Sequence, residues 1–193
     1  MKSVCVYCGS NSGQNPAFVA TARSVGAALA GRGIEIVYGG GRVGLMGELA
    51  DAALSAGGRV QGVIPEFLAL KEIAHLELTD LHVVRSMHAR KALMVQLSEA
   101  FVALPGGIGT MEELFEVWTW AQLGHHTHPV GLLNVDGYYD DLVAFLDRMN
   151  GERFLDDAHR RSLVIADQID TLLAAFETYR APPADVRIKT GQT

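Results

Sequence analysis

The chain has 193 residues, 49% of them hydrophobic, and a formal charge of −6. That length supports one substantial core and is short for two, and the acidic balance argues against a general nucleic-acid surface while leaving room for a local basic pocket around one phosphate. No apolar run reaches membrane-spanning length, and Met1-Lys2-Ser3 leads into a strand-like stretch without a signal-peptide core, so a cytoplasmic protein is expected.

In chain order, Ser3 to Tyr7 reads as a first strand, followed by the polar, flexible loop Cys8-Gly9-Ser10-Asn11-Ser12-Gly13. In an open α/β sheet such a loop lies on the ligand side. Ser10 can donate to a phosphate or ribose, or cap a turn. Cys5 and Cys8 have CxxC spacing but no second pair, which fits neither a zinc site nor a redox helix. Pro16 to Arg32 has helical spacing, Ile34 to Tyr38 a strand pattern, and Gly39-Gly40-Gly41-Arg42-Val43-Gly44 a glycine density that suits close backbone approach by a ligand, or a plain turn. A helix to about Ala56 and a strand from Val60 to Ile64 follow. Residues 66 to 80 suit a short helix or lid, and Leu81 to Val84 a strand. Ser86 to Ser98 is the next helix, with Met87, Arg90 and Lys91 in its first turns. Arginine there suits a bidentate clamp on phosphate or ribose oxygens and lysine a movable point charge; either is also an ordinary surface charge.

The stretch around which the chain is organised is Pro105-Gly106-Gly107-Ile108-Gly109-Thr110-Met111-Glu112-Glu113, placed where the apolar run Ala100 to Leu104 ends and a helical pattern begins. Glycines let another molecule approach the main chain, Thr110 fits an N-cap with Glu113 three residues on, and first-turn amides favour phosphate. The pattern is neither a Walker A loop nor GxGxxG at a first strand, and an ordinary capped turn fits it too. The helix from Thr110 carries more apolar residues than one stripe needs, enough to cover the sheet and meet a partner subunit. His125, His126 and His128 lack acidic ligands at metal spacing, so no metal and no cofactor are expected. A strand at Pro129 to Leu133, a turn at Asn134 to Gly137, a helix from Tyr138 to Met149, a strand at Ser162 to Ala166 and a helix from Gln168 to Tyr179 complete the layout. The expected fold is a single-domain, Rossmann-like open parallel sheet with helices on both faces, spanning residues 1–180 with a tail over 181–193.

Cys8-Gly9-Ser10, Gly39-Gly40-Gly41, Met87-His88-Ala89-Arg90-Lys91 and the 105–113 motif together closely resemble the LOG family, named Lonely Guy in plants and often mislabelled as lysine decarboxylases. The likeness runs on through Thr119 to Gly124 and Pro129 to Tyr139 and covers roughly residues 3 to 155. It implies a Rossmann-like homodimer with active sites at the subunit interface that hydrolyses cytokinin-type nucleoside 5'-monophosphates to free base and ribose 5-phosphate. By the same resemblance Arg90 and Glu112 are the essential pair, with Glu113 the alternative acid, and Lys91 and Gly106 to Thr110 contact the nucleotide. Cys8, Gly9, Ser10, Gly40, Gly41, Met87, Met111 and Glu113 join the substrate-binding set, and Glu72 matches a substrate-contacting acid. A general AMP nucleosidase and a non-catalytic nucleotide or molybdenum-cofactor carrier are the competing readings.

Overall fold

The structure is a computed structural model and describes residues 1–69 and 74–183. Seven strands alternate with helices: β1 (Ser3–Tyr7), α1 (Pro16–Gly31), β2 (Glu35–Tyr38), α2 (Gly44–Ser55), β3 (Val60–Pro65), the single turn α3 (Glu66–Leu68), β4 (Asp80–Val84), α4 (Met87–Gln96) and β5 (Phe101–Ala103). Then come α5 (Ile108–Gln122), β6 (Val130–Leu133), a 3-10 turn (Val135–Gly137), α6 (Asp140–Gly151), α7 (Asp157–Ser162), β7 (Leu163–Ala166) and α8 (Ile169–Thr178). The expected α/β class is therefore found.

The sheet is parallel throughout, in the order β4-β3-β2-β1-β5-β6-β7. From β1 the chain winds outward to β4, then returns to β5 on the other side of β1. Loops leaving β1 and β5 consequently diverge at their carboxyl ends, and an open sheet binds ligands in the crevice so formed.

Strand residues alternate between two cores, as the two-residue period requires. Val4, Val6, Ile36, Tyr38 and Val102 face one side with Leu29 of α1, Leu49 of α2 and Phe176 of α8. Cys5, Tyr7, Val37, Phe101 and Leu132 face the other with Met94 of α4, Leu114 of α5 and Leu146 of α6. Both faces are thus covered by helices. Leu29, Leu49 and Leu114 are at most 1% exposed, so truncating any one to alanine is expected to cost about 2–5 kcal/mol.

Several boundaries differ from the sequence expectation. Helix α5 starts at Ile108, with Gly107 in extended geometry as its N-cap and no side-chain capping bond. Thr110 is therefore not the cap; it sits in the first turn, only 4% exposed. Asn15 caps α1 by accepting from the Ala17 amide. The 66–80 stretch contains the α3 turn and a bridge from Ala74 to Gly41, while α7, capped by Asp156, is an addition. Of the expected tail, residues 184–193 lie outside the described residues, and so does Glu72.

Candidate active site

The crevice at the switch between β1 and β5 holds a cavity of about 740 Å3. One wall is the loop after β1, from Cys8 to Gly13, and the facing wall is the loop after β5, from Pro105 to Thr110. The two loops touch: the Gly9 amide donates to the Pro105 carbonyl at 3.1 Å. A Cβ on Gly106 would collide with the Thr110 hydroxyl and crowd the Gly9 amide, so only glycine lets the loops meet here.

The first helical hydrogen bond of α5 runs from the Met111 amide to the Gly107 carbonyl, 3.1 Å. The amides of Ile108, Gly109 and Thr110 consequently have no acceptor within the helix. With Gly107, Ile108, Gly109 and Thr110 all lining the cavity, this wall presents free backbone amides at a helix N-terminus, a geometry suited to an anion.

Arg90 and Glu113 enter the cavity from α4 and α5. Their side chains are each 10% exposed, and the guanidinium Nη2 lies 3.5 Å from Glu113 Oε1. Arg90 is held rigidly: Nε donates to the Val63 carbonyl at 3.0 Å and Nη2 to the Gly39 carbonyl at 3.3 Å. A side chain on Gly39 would occupy the guanidinium's place, which gives this glycine a direct reason. Burial pushes the Glu113 carboxyl above its ordinary range, and the neighbouring Arg90 charge offsets this only in part.

Glu112 is arranged differently from the expectation that paired it with Arg90. It is half exposed on the α4-facing side of α5, where Lys91 Nζ bonds Glu112 at 2.5 Å and Glu116 at 3.0 Å. Burial lowers the Lys91 ammonium, but the hydrogen bonds and charges of the two glutamates outweigh it and leave it raised. Neither Glu112 nor Lys91 lines the cavity. The cause is helical geometry: Glu113 adjoins the inward stripe of Thr110, Leu114 and Val117, while Glu112 shares the outward stripe with Glu116.

Of the other expected contacts, Cys8, Gly9, Ser10, Gly41 and the 106–110 stretch line the cavity, whereas Gly40, Met87 and Met111 do not. The Gly40 carbonyl accepts from the His75 amide at 2.9 Å, Met87 Sδ lies 3.9 Å from Arg90 Nη1, and Met111 packs on the core. Burial raises the Cys8 thiol, so it is not poised as a nucleophile. Phe18, Leu45, Met46, Ile64 and Leu68 supply an apolar wall that the sequence reading missed, as it missed Tyr138 at the rim. Arg42 is exposed and outside the lining. The His126 and His128 rings stack on one another, with His126 bonded to the Val117 carbonyl. Among the described residues no group of three His, Cys, Asp or Glu could hold a metal ion.

A doubly wound sheet with free helix amides and a buried arginine–glutamate pair at its switch point defines an α/β protein with a crevice suited to an anionic ligand. Comparison with known proteins then gives the family. A family model described as "Possible lysine decarboxylase" matches residues 46–176. The chain is 49% identical over 184 residues to a probable cytokinin riboside 5'-monophosphate phosphoribohydrolase of Oryza sativa subsp. japonica, covering 95% of this chain and 75% of the relative. It is 48% identical over 178 residues to the cytokinin riboside 5'-monophosphate phosphoribohydrolase of Rhodococcoides fascians, covering 92% and 90%. The chain belongs to the LOG family. Among solved structures, the molybdenum cofactor carrier protein of Chlamydomonas reinhardtii superposes with a TM-score of 0.70 at 21% identity, covering 92% of this chain and 96% of that one. At that identity the likeness is one of fold.

Proposed function

We propose that this protein hydrolyses the N-glycosidic bond of purine ribonucleoside 5'-monophosphates with N6-substituted, cytokinin-type bases, releasing the base and ribose 5-phosphate. The observation that carries the reading is the Arg90–Glu113 pair, 3.5 Å apart and buried beside the amide cradle of α5. Family relatives that bear the same activity in their names support it.

A 5'-phosphate in the cradle accepts from the free amides of the first turn and from the hydroxyls of Thr110 and Ser10. That fixes the ribose over Glu113. As the C1'–N9 bond breaks, its electron pair leaves with the purine and positive charge develops at C1'. The Glu113 carboxylate stabilises that charge and takes a proton from water, whose oxygen bonds C1'; a proton delivered to the base completes the balance. A raised carboxyl pKa suits the proton-accepting role. Arg90, anchored to two backbone carbonyls, orients the carboxylate and the sugar hydroxyls. The catalytic pair is therefore Arg90 with Glu113 in place of Glu112. Leu45, Met46, Ile64 and Leu68 offer an apolar surface for the base and its N6 substituent.

Decarboxylation through a Schiff-base lysine fits poorly. Among the described residues no lysine lines the cavity, and Lys91 is tied to two glutamates that hold its charge on.

Residues 1–180 act in this reading as one hydrolase domain of a cytoplasmic homodimer. Ile108, 91% exposed beside the cavity, is an apolar group that a second subunit would cover. No helix among the described residues is long and apolar enough to cross a membrane. Incubation with AMP and N6-isopentenyl-AMP, following base and ribose 5-phosphate by chromatography, tests the function. Faster release from the N6-substituted nucleotide is expected. Equal rates would indicate a general AMP nucleosidase, and binding without release a carrier.

A further inference from the structure

The cavity rim carries a polar side chain to which the reaction above gives no role, Tyr138. Its hydroxyl donates to the Gly106 carbonyl at 2.7 Å. That bond completes a series, because three consecutive carbonyl oxygens at the exit of β5 each have a protein donor. Leu104 accepts from the Tyr139 hydroxyl at 2.6 Å, Pro105 from the Gly9 amide at 3.1 Å, and Gly106 from Tyr138.

We propose that Tyr138 is a positioning residue that holds the Gly106–Gly107 peptide with its carbonyl turned away from the phosphate cradle; this rests on the nucleotide reading given above. A carbonyl oxygen facing the cradle would oppose an anion, whereas an amide attracts it. The peptide between Gly106 and Gly107 is the one most able to rotate, since neither flanking residue has a Cβ to resist it. Its neighbours are held from within: Tyr139 is 3% exposed and the Gly9 amide belongs to the facing loop. Only the Gly106 carbonyl depends on a side chain at the rim, Tyr138 being 46% exposed.

Tyr138 is itself fixed by its surroundings. Its ring meets Phe18 edge-on at 5.3 Å and Tyr139 at 4.8 Å. The turn preceding it is tied to the start of α1 by a 2.9 Å bond from Asn15 Nδ2 to Asp136 Oδ2. The hydroxyl is thus aimed at one acceptor by packing from α1 and from its own turn.

Tyr138→Phe keeps the ring and removes the one bond. In the full-length protein, the KM for AMP and the Kd for ribose 5-phosphate are expected to rise about three- to tenfold, the effect of losing one hydrogen bond. The Ki of adenosine, which has no phosphate, is expected to stay within about twofold, as is kcat, by the same scale. A purely structural role would weaken all three ligands together. Unchanged ribose 5-phosphate affinity, or a parallel loss for adenosine, overturns the proposal. The Kd for ribose 5-phosphate is read by calorimetry without turnover. A wild-type protein that binds it but releases no adenine would therefore sink the hydrolase reading and still leave Tyr138 to be judged by its variant.

Discussion

Replacing each of two adjacent glutamates by glutamine separates the geometry of α5 from the proximity of residues in the chain. Glu113→Gln preserves shape and removes one negative charge from a cavity-facing side chain that is 10% exposed. A unit positive charge forming at C1' about 4 Å away, at an effective dielectric of about 20, is stabilised by about 4 kcal/mol. At about 1.4 kcal/mol per decade this is roughly a thousandfold in kcat, less whatever Arg90 screens. Glu112, with its side chain 49% exposed and paired with Lys91, is on the outer face of the helix, so Glu112→Gln is expected to change kcat by less than about tenfold. The assay is single-turnover release of adenine from AMP, with AMP affinity measured separately so that a binding loss is not mistaken for a catalytic one. If Glu113→Gln retains a tenth or more of wild-type turnover while Glu112→Gln loses a hundredfold, the assignment made from the cavity is wrong.

The same carboxylate carries a pH signature in stability. Because burial raises the folded-state pKa of Glu113, its contribution is fully present below the ordinary glutamate value and is lost as pH rises through the folded value. Ligand-free Glu113→Gln should therefore gain Tm relative to wild type as pH increases over that window; a constant difference between the two melting curves would contradict the shift. Gly39→Ala puts a Cβ where the Arg90 guanidinium lies, so kcat/KM for AMP should fall at least about tenfold with Arg90 displaced, and wild-type activity would deny Arg90 its role. Lys91→Met leaves Glu112 and Glu116 facing each other one helical turn apart and should lower stability by about 1–2 kcal/mol in urea unfolding, between the surface and buried limits for broken ion pairs. Adding Glu116→Gln to that variant should restore part of the loss.

The alternating apolar runs were enough to read every strand of the sheet and the glycine-rich exits of β1 and β5, since buried parallel strands are short apolar segments closed by turn residues. Strand order was not readable, because nothing local records that β5 returns beside β1 and not beside β4. Which of the two acids faces the crevice follows from the chain itself. At roughly 100° per residue, the apolar residues Leu114, Val117 and Trp118 define the inward face of α5, with Glu113 at its margin and Glu112 nearly opposite. Placing the helix start at Thr110 and treating both acids as first-turn residues obscured this. Lys91 finds its partners on another helix, which no local pattern announces. The apolar wall is discontinuous, built from α1, α2, β3 and the turn after it, so it emerges only from the folded arrangement.

The division of labour within the crevice explains why the sheet alone does not define the chemistry. The loops after β1 and β5 offer main-chain donors, which any sequence with glycine at the points of contact can provide, and such a cradle binds phosphate without acting on the sugar. Under the proposed mechanism hydrolysis needs a charge placed against C1', which one helix would supply while another supplies its orienting partner. Bringing Glu113 into a cavity where burial disfavours its ionised form costs stability, and Arg90 offsets only part of that cost. Arg90 in turn needs the Val63 and Gly39 carbonyls and the absence of a side chain at Gly39. The requirement therefore propagates from α5 through α4 to β3 and the exit of β2. Substituting Glu113, Arg90 or Gly39 is expected to impair turnover before it impairs phosphate binding, whereas changes at Gly106 or Tyr138 should do the reverse.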